Sequence, residues 1–331
     1  MNHESDKPSV HPGPTIAVFS EDINGETAFE ASKMDYLLDI KADRTVDPFF
    51  EKNDQDTIVE DNRAKTSSQL ISHAAAVFSQ QHRLHLFSVL IHDHYARFAR
   101  WDRSGCIISE QFDFHERPEL LAYFFWCYAK LSPMERGFDP TVQPATSAEE
   151  RLLRVALSQY EKECEAQRRR NVIALKKSEG SEQPWPAYKV EVDVNGKPHE
   201  LVIGRPFWNS DSPYGRATRG YVAYDMAEKK LVFLKDSWRT DGARILPEGV
   251  MYAKLKKHNV PFLPDVLAAG DVKFNNKIQK TVTQNYTNKP FPPGWRSPCS
   301  RLDTLIHYRV VQELAYPLVS AVSSREVVQV I

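Results

Sequence analysis

Apolar residues recur with two different periods along the chain. In the first half, the apolar residues stand at helical spacing in two segments, SSQLISHAAAVFSQQ (67–81) and PELLAYFFWCYAKL (118–131). In the second of these segments they nearly encircle the helix, which implies that the helix is buried. KMDYLLDIKADR (33–44) has the pattern of a strand, and HLFSVLIHDHYARFARWDRSGCIIS (85–109) predicts two or three more. These segments together predict an α/β domain.

The second half of the chain predicts hairpins and a short helix. TSAEERLLRVALSQYEKECEAQRRR (146–170) carries the apolar stripe of a long helix, and after it the period changes to two. YKVEVDVNGKPHELVIG (188–204) and RGYVAYDMAEKKLVFLKDSW (219–238) each predict a β-hairpin, the first with Asn-Gly in its turn. LPEGVMYAKLKKH (246–258) predicts a short helix, and HYRVVQEL (307–314) predicts a last strand.

The predicted fold class is α+β, with two domains. Residues 1–34 are polar and proline-bearing, and we expect them to form a disordered lead-in. An α/β domain follows over 35–144, and a long helix with a linker follows over 145–187. Residues 188–331 then predict an antiparallel sheet with one helix.

Composition indicates a soluble, intracellular protein. The chain of 331 residues is 41% hydrophobic and 26% charged, with a formal net charge of −1, so no global field attracts it to nucleic acid or an anionic membrane. The four cysteines form no CxxC pair, which favours reduced thiols in the cytoplasm or nucleus over a disulfide framework or a zinc site. No apolar run reaches membrane-spanning length. We therefore expect neither a membrane nor nucleic acid as a partner.

Lys235 lies in the stretch KLVFLKDSWR, whose apolar residues alternate as in a strand. The phosphates of a nucleotide need a fixed cation, and the lysine that supplies it needs a carboxylate to hold it in place. Glu248 stands at the start of the following predicted helix, seven residues before Leu255. Strands, a lysine, a helix with a glutamate and two further strands follow the order of a protein-kinase small lobe. Two unrelated solvated residues are the competing interpretation.

The chain also resembles the fungal-type protein kinase domain family from about residue 35 onward. The matching stretches are HLFSVLIHDHYARFARWDRSGCIISEQFDF, LLAYFFWCYAKLSPMERGFDPTV, GRATRGYVAYD, LVFLKDSWR, PEGVMYAKL and HYRVVQELAYPL. The resemblance implies that Lys235 binds phosphate with Glu248 as its helix partner. It also implies that a complete kinase of Ser/Thr type would use ATP and magnesium, and that the chain has a protein substrate or a protein partner. It also implies four further nucleotide-binding positions, two in the loop over the phosphates and two in the hinge beside the adenine: Gly215, Gly220, Glu313 and Leu314.

Three features depart from a complete kinase. The loop reads GRATRG (215–220) where the usual motif is GxGxxG, and Phe233 stands two residues before Lys235, where a bulky ring narrows the adenine pocket. No HRD-type loop or DFG-type turn follows Leu318, so we assign no catalytic residue and no metal ligand. We therefore expect the chain to be inactive by itself, with a non-catalytic pseudokinase or a binding and scaffold protein as the alternative function.

A second hypothesis comes from the first domain. Asp39 and Lys41 share one face of a strand in LLDIKAD, and Gln69 and His73 follow on a helix in QLISHAA. This order partly resembles the restriction-endonuclease-like fold of RecB-like nucleases, in which clustered carboxylates hold a divalent metal. The match is partial, because His73 stands where that pattern has tyrosine. An acid and a lysine at a strand end are the competing interpretation, so a metal-dependent nuclease is the less favoured function. The further acid that the metal requires has two candidates nearby: Asp22 and Asp35.

Overall fold

The structure of the chain is a computed structural model. It describes residues 16–19, 34–41, 47–49, 57–170, 185–194, 197–207, 209–210, 212–242, 244–286 and 302–315. The chain divides into two compact units, each formed from separate stretches. Unit 1 contains the described residues up to 139, with those of 212–215, 281–286 and 302–304; unit 2 contains those of 140–210, 216–280 and 305–315. Both units combine helices with sheets, which confirms the predicted α+β class.

Unit 1 is built on a sheet of six described strands. Their order is β1 (Ile16–Phe19), β2 (Met34–Lys41), β3 (His85–His92), β4 (Tyr95–Asp102) and β5 (Gly105–Ile108), with β6 (Phe112–Asp113) also paired to β4. β2 and β3 are parallel, and the other pairs are antiparallel. Because parallel strands need a long crossover, helix α1 (Thr57–Gln80) connects these two.

The core of unit 1 lies between α1 and this sheet. Helix α1 begins ten residues before the apolar pattern at 67–81, and its apolar residues pack in the predicted register. The buried cluster joins the helix to three strands: Met34, Leu37, Leu70, Ala74, Val77, Phe78, Leu86, Leu90 and Trp101. The spacing of apolar residues thus predicted the inward face of the helix correctly.

Strand β1 lies within residues 1–34, for which we expected a disordered lead-in. Ile16–Phe19 reads IAVF and pairs antiparallel with β2, with Ile16 opposite Leu38. A short apolar run of this kind gives the backbone groups of β2 hydrogen-bond partners. At these four residues, and at Met34, which begins β2, the structure has strand where we expected disorder. The other residues before Met34 lie outside the described residues.

Helix α2 (Pro118–Lys130) is less buried than its sequence implied. Tyr128 is buried, and its hydroxyl donates to the backbone oxygen of Asp35 at 3.1 Å. Tyr123 and Trp126 are 64% and 55% exposed. The expectation of burial on nearly all sides is therefore wrong, because only one side of the helix packs against the rest of unit 1.

Unit 2 is an antiparallel sheet of seven described strands with two helices. In chain order its elements are β7 (Val142–Pro144), α3 (Ser147–Arg170), β8 (Tyr188–Val194), β9 (Lys197–Ile203), β10 (Arg219–Asp225), β11 (Lys230–Thr240), α4 (Glu248–Lys257), β12 (Val266–Asp271) and β15 (Leu305–Glu313). Between the last two lie the ribbon β13 (Lys273–Phe274) and β14 (Lys277–Ile278) and, in unit 1, a 3-10 helix (Thr283–Tyr286). The strand order is β12-β15-β11-β10-β9-β8-β7, and both predicted hairpins are present.

The two faces of this sheet differ in character. Side chains alternate along β11, so Leu234 and Asp236 point to one face and Phe233 and Lys235 point to the other, here called the lysine face. Leu234 belongs to the buried core of unit 2. Asp236 lies beside that core, where its carboxylate accepts a hydrogen bond of 3.0 Å from Nε of Arg309. Lys235 therefore points away from the core and its polar network.

No helix in the described part of the chain is long and apolar enough to cross a membrane.

Candidate functional site

Lys235 and Glu248 form an ion pair on the lysine face of unit 2. Nζ of Lys235 lies 2.9 Å from Oε1 and 2.8 Å from Oε2 of Glu248. The two side chains are 25% and 24% exposed, so the pair is partly buried and still reachable from solvent. The two residues are thus paired, as the order of strand and helix predicted, and are not separate surface charges.

A close approach between α4 and the sheet positions Glu248. The backbone N–H of Gly249 donates to Oη of Tyr308 at 3.0 Å. A Cβ atom on Gly249 would lie 2.4 Å from Cβ of Ala269 and 2.9 Å from Oη of Tyr308, so a larger residue would push the helix away. Glu248 precedes this contact in the first turn, where the helix dipole favours a carboxylate. The contact at Gly249 therefore holds the start of α4, and with it Glu248, close to the sheet.

The two glycines predicted to lie over the phosphates belong to different units. Gly220 lies in β10 directly opposite Lys235, within unit 2. Gly215 belongs to unit 1, where it has a φ of +81° and its N–H donates to the carbonyl oxygen of Arg103 at 2.8 Å. Gly220 thus borders the ion pair, whereas Gly215 is held by contacts of unit 1.

The two predicted hinge residues lie at the end of β15. Val310 is the residue opposite Lys235, so Glu313 is three positions further along, at about 10 Å by strand geometry. The N–H of Glu313 donates to the carbonyl oxygen of Asp265 at 3.0 Å, and its side chain is exposed. Leu314 follows the strand and is half-buried. Glu313 ends the strand next to Lys235 and Leu314 follows it, and the contact of both residues with adenine stays a prediction.

An aromatic pair covers part of the lysine face beside Gly220. The ring centroids of Phe207 and Phe233 are 5.7 Å apart, and the N–H of Phe207 donates to the carbonyl oxygen of Gly220 at 3.0 Å. A Cβ atom on Gly220 would lie 3.0 Å from Cζ of Phe207 and 3.3 Å from Cε2 of Phe233. Directly paired residues of antiparallel strands point to the same side, so both rings lie on the face that carries Lys235. A second ring thus lies beside Phe233, and the narrowing of an adenine pocket stays a prediction.

For the nucleotide site that the family resemblance implies, replacing Phe207 with alanine is expected to raise the affinity for ATP several-fold. The ring is 67% exposed, so its removal costs little core packing, and it leaves space above Gly220 and Phe233. Titration calorimetry with MgATP measures the change. Phe262, which is 72% exposed in the same unit, provides the matched control as Phe262→Ala. Weaker binding by Phe207→Ala would mean that the ring stacks on the base and does not obstruct it.

The sequence pattern did not predict the roles of Phe207 and Gly249. Phe207 follows β9 in a polar stretch, and its contact with Phe233 joins residues far apart in the chain. Gly249 needs to be glycine only because Ala269 and Tyr308 come close to it. Residue type and spacing near either position do not predict these contacts.

The residues of the nuclease hypothesis come together in unit 1. Nζ of Lys41 donates to Oε1 of Gln69 at 2.7 Å and lies 3.8 Å from Oδ1 of Asp39. Nδ1 of His73 lies 3.2 Å from Oδ2 of Asp39, whose side chain is fully buried. The predicted strand and helix spacing therefore brings all four side chains into one cluster.

Within the part of the chain that the structure describes, this cluster does not gain the further carboxylate that a metal site requires. Asp35 is bound elsewhere, since its Oδ2 accepts a hydrogen bond of 2.9 Å from Nη1 of Arg136 and its Oδ1 accepts one of 3.1 Å from Tyr128. Asp22 lies outside the described residues. Within the described ranges, no group of three or more His, Cys, Asp or Glu side chains is close enough to hold a metal ion. The likeness to the restriction-endonuclease-like fold stays a prediction.

Comparison with known proteins agrees with the geometry of unit 2. The sequence model of the family described as "Fungal protein kinase" matches residues 51–289, which include Lys235 and Glu248. A search of curated proteins and a search of solved structures each found no match to the chain. Because the family match covers more than half of the 331 residues, the chain belongs to the fungal protein kinase family.

Proposed function

We propose that unit 2 binds ATP, with Lys235 contacting the phosphates, as the small lobe of a fungal-type protein kinase. The pairing of Lys235 with both carboxylate oxygens of Glu248 is the observation that supports this most directly. A lysine held in this way presents its charge at a fixed point, which costs no reorganisation when an anion binds. The family match supports a kinase-like function for the same residues.

A buried amide supports the placement of the nucleotide on the lysine face. Gln312 pairs with Phe233 and therefore faces the same side as Lys235. Its side chain is buried, and its Nε2 has no hydrogen-bond partner among the described residues. Buried donors are nearly always satisfied, so a ligand acceptor at this position would remove a cost that the free protein bears.

We further propose that unit 2 serves the reaction of its family as part of a complete kinase, the chain being expected to be inactive by itself. A protein kinase of Ser/Thr type transfers the γ-phosphoryl group of ATP to a hydroxyl of its protein substrate, and bound magnesium neutralises charge on the phosphates during transfer. Lys235, held by Glu248, would orient the phosphates for this step. A non-catalytic role as a pseudokinase or scaffold is the competing function. A pseudokinase that has kept the nucleotide site would also bind ATP at Lys235, whereas one that has lost it would not.

The first test is thermal stabilisation of the full chain by MgATP. A ligand that binds only the folded state at 100 times its Kd adds about 2.7 kcal/mol to the free energy of unfolding. We expect the melting temperature to rise with MgATP concentration, and to rise less with adenosine because adenosine lacks the phosphates. The absence of any shift at millimolar MgATP would contradict nucleotide binding and favour the scaffold function.

A further inference from the structure

Arg216 lies beside the ion pair of Lys235 and Glu248, and the pairing of those two residues does not account for its position. Nη2 of Arg216 is 3.9 Å from Oε2 of Glu248, and its side chain is 65% exposed. The backbone carbonyl of Arg216 accepts a hydrogen bond of 2.8 Å from the N–H of Trp238, which lies three residues beyond Lys235 on β11. The main chain at Arg216 is thus fixed to the strand that carries the lysine, while its side chain is exposed.

The guanidinium of Arg216 has unused hydrogen-bonding capacity. Both oxygens of Glu248 already accept hydrogen bonds from Lys235, and 3.9 Å is too long for a hydrogen bond to Arg216. Among the described residues no hydrogen bond to this guanidinium is found. Two cations and one carboxylate then give the cluster of Arg216, Lys235 and Glu248 a formal net charge of +1. Such a cluster favours a bound anion.

We propose that Arg216 is a second phosphate-binding cation of this site, acting with Lys235 on the polyphosphate of the nucleotide. This inference rests on the proposed function, because it specifies which groups bind the phosphates there. Arg216 stands directly after Gly215 in GRATRG, a loop with fewer glycines than GxGxxG and hence fewer positions where backbone amides approach a phosphate closely. The planar guanidinium offers paired donors to phosphate oxygens and supplies from a side chain what the backbone of a glycine-rich loop would supply.

The other arginine of this loop does not have the same role. Arg219 is buried and lies opposite Asp236, so it faces the side of the sheet away from Lys235. Arg216 is therefore the arginine of the GRATRG stretch that the structure places beside Glu248, the partner of Lys235. The exposure of its side chain leaves the guanidinium accessible to an anion from solvent.

The test compares the affinities of the full chain and its variants for three ligands. Titration calorimetry at one magnesium concentration would use ATP, inorganic tripolyphosphate and adenosine. Loss of a hydrogen bond to a charged group predicts that Arg216→Gln weakens binding of ATP and of tripolyphosphate by about ten-fold or more and leaves adenosine unchanged. Arg216→Lys should be intermediate, because an ammonium keeps the charge but lacks the planar pair of donors.

Lys230→Gln is the matched control, since Lys230 is exposed on the same strand, five residues from Lys235. Equal ATP affinity of Arg216→Gln and the unchanged protein would overturn the inference, as would an equal loss in Lys230→Gln. Binding of tripolyphosphate that depends on Arg216, without binding of ATP, would support the anion site and contradict the proposed nucleotide function. Binding of neither anion by the unchanged protein would overturn both.

Discussion

Lys235→Met is expected to abolish the thermal stabilisation of the protein by MgATP. Methionine keeps the length of the apolar stem but removes the cation that both oxygens of Glu248 hold in place. A hydrogen bond to a charged group contributes about 1.5–3 kcal/mol, so loss of the phosphate contact predicts affinity lower by roughly ten- to more than one hundred-fold. Calorimetric titration with MgATP measures this loss directly.

The ligand-free Lys235→Met variant should remain folded. The ion pair is partly exposed, and pairs of this kind contribute at most about 1 kcal/mol, so its melting temperature should change little. Lys230→Met is the control, because the Lys230 side chain is exposed on the same strand and points away from the ion pair. Retention of full MgATP stabilisation by Lys235→Met would place the phosphates elsewhere and contradict the proposed function.

Gly249→Ala is expected to lower both the stability of unit 2 and its affinity for ATP. The new Cβ atom would meet Cβ of Ala269 at 2.4 Å and Oη of Tyr308 at 2.9 Å, so α4 must move away from the sheet and take Glu248 with it. Overpacking of this kind costs about 1–3 kcal/mol. The direction is informative because helix propensity alone predicts a gain of about 1 kcal/mol for alanine over glycine.

Chemical denaturation and MgATP titration of the same variant measure the two effects. Gly270→Ala is the matched control, since a Cβ on Gly270 would meet nothing within 4 Å, although Gly270 lies on the same strand as Ala269. In the double variant Gly249→Ala with Ala269→Gly, one of the two close contacts is absent, so part of the ATP affinity should return. Unchanged ATP affinity in Gly249→Ala would show that the position of Glu248 does not depend on this contact.

The local periodicity of the sequence predicted most of the elements. Hairpins at 188–204 and 219–238 and helices beginning near Pro118 and Glu248 are present where the pattern placed them. Strand β1 was the main omission, because a four-residue run has too few positions for a period and depends on β2 for its hydrogen bonds. Burial of α2 was overestimated, because composition around a helix does not say how many sides have a packing partner.

Local features of the sequence also predicted part of the candidate site. Lys235 in a strand and Glu248 at the start of the next helix are local features, and their pairing follows from the order of elements. Gly215 and Gly220, five residues apart in the stretch GRATRG, were expected to act together but belong to different units. Sequence proximity could not separate them, because the contact between Gly215 and Arg103 joins residues more than one hundred positions apart.

The sequence by itself thus determined the two periods, the α+β class, the family resemblance and the lysine–glutamate pair. The tertiary structure alone decided that Gly249 must be small, that the ring of Phe207 lies over Gly220, and that the guanidinium of Arg216 lies beside Glu248. The physical reason is the range of the interactions. Periodicity reports which face of an element is apolar, whereas steric fit and the position of an exposed charge depend on residues that only the fold brings close.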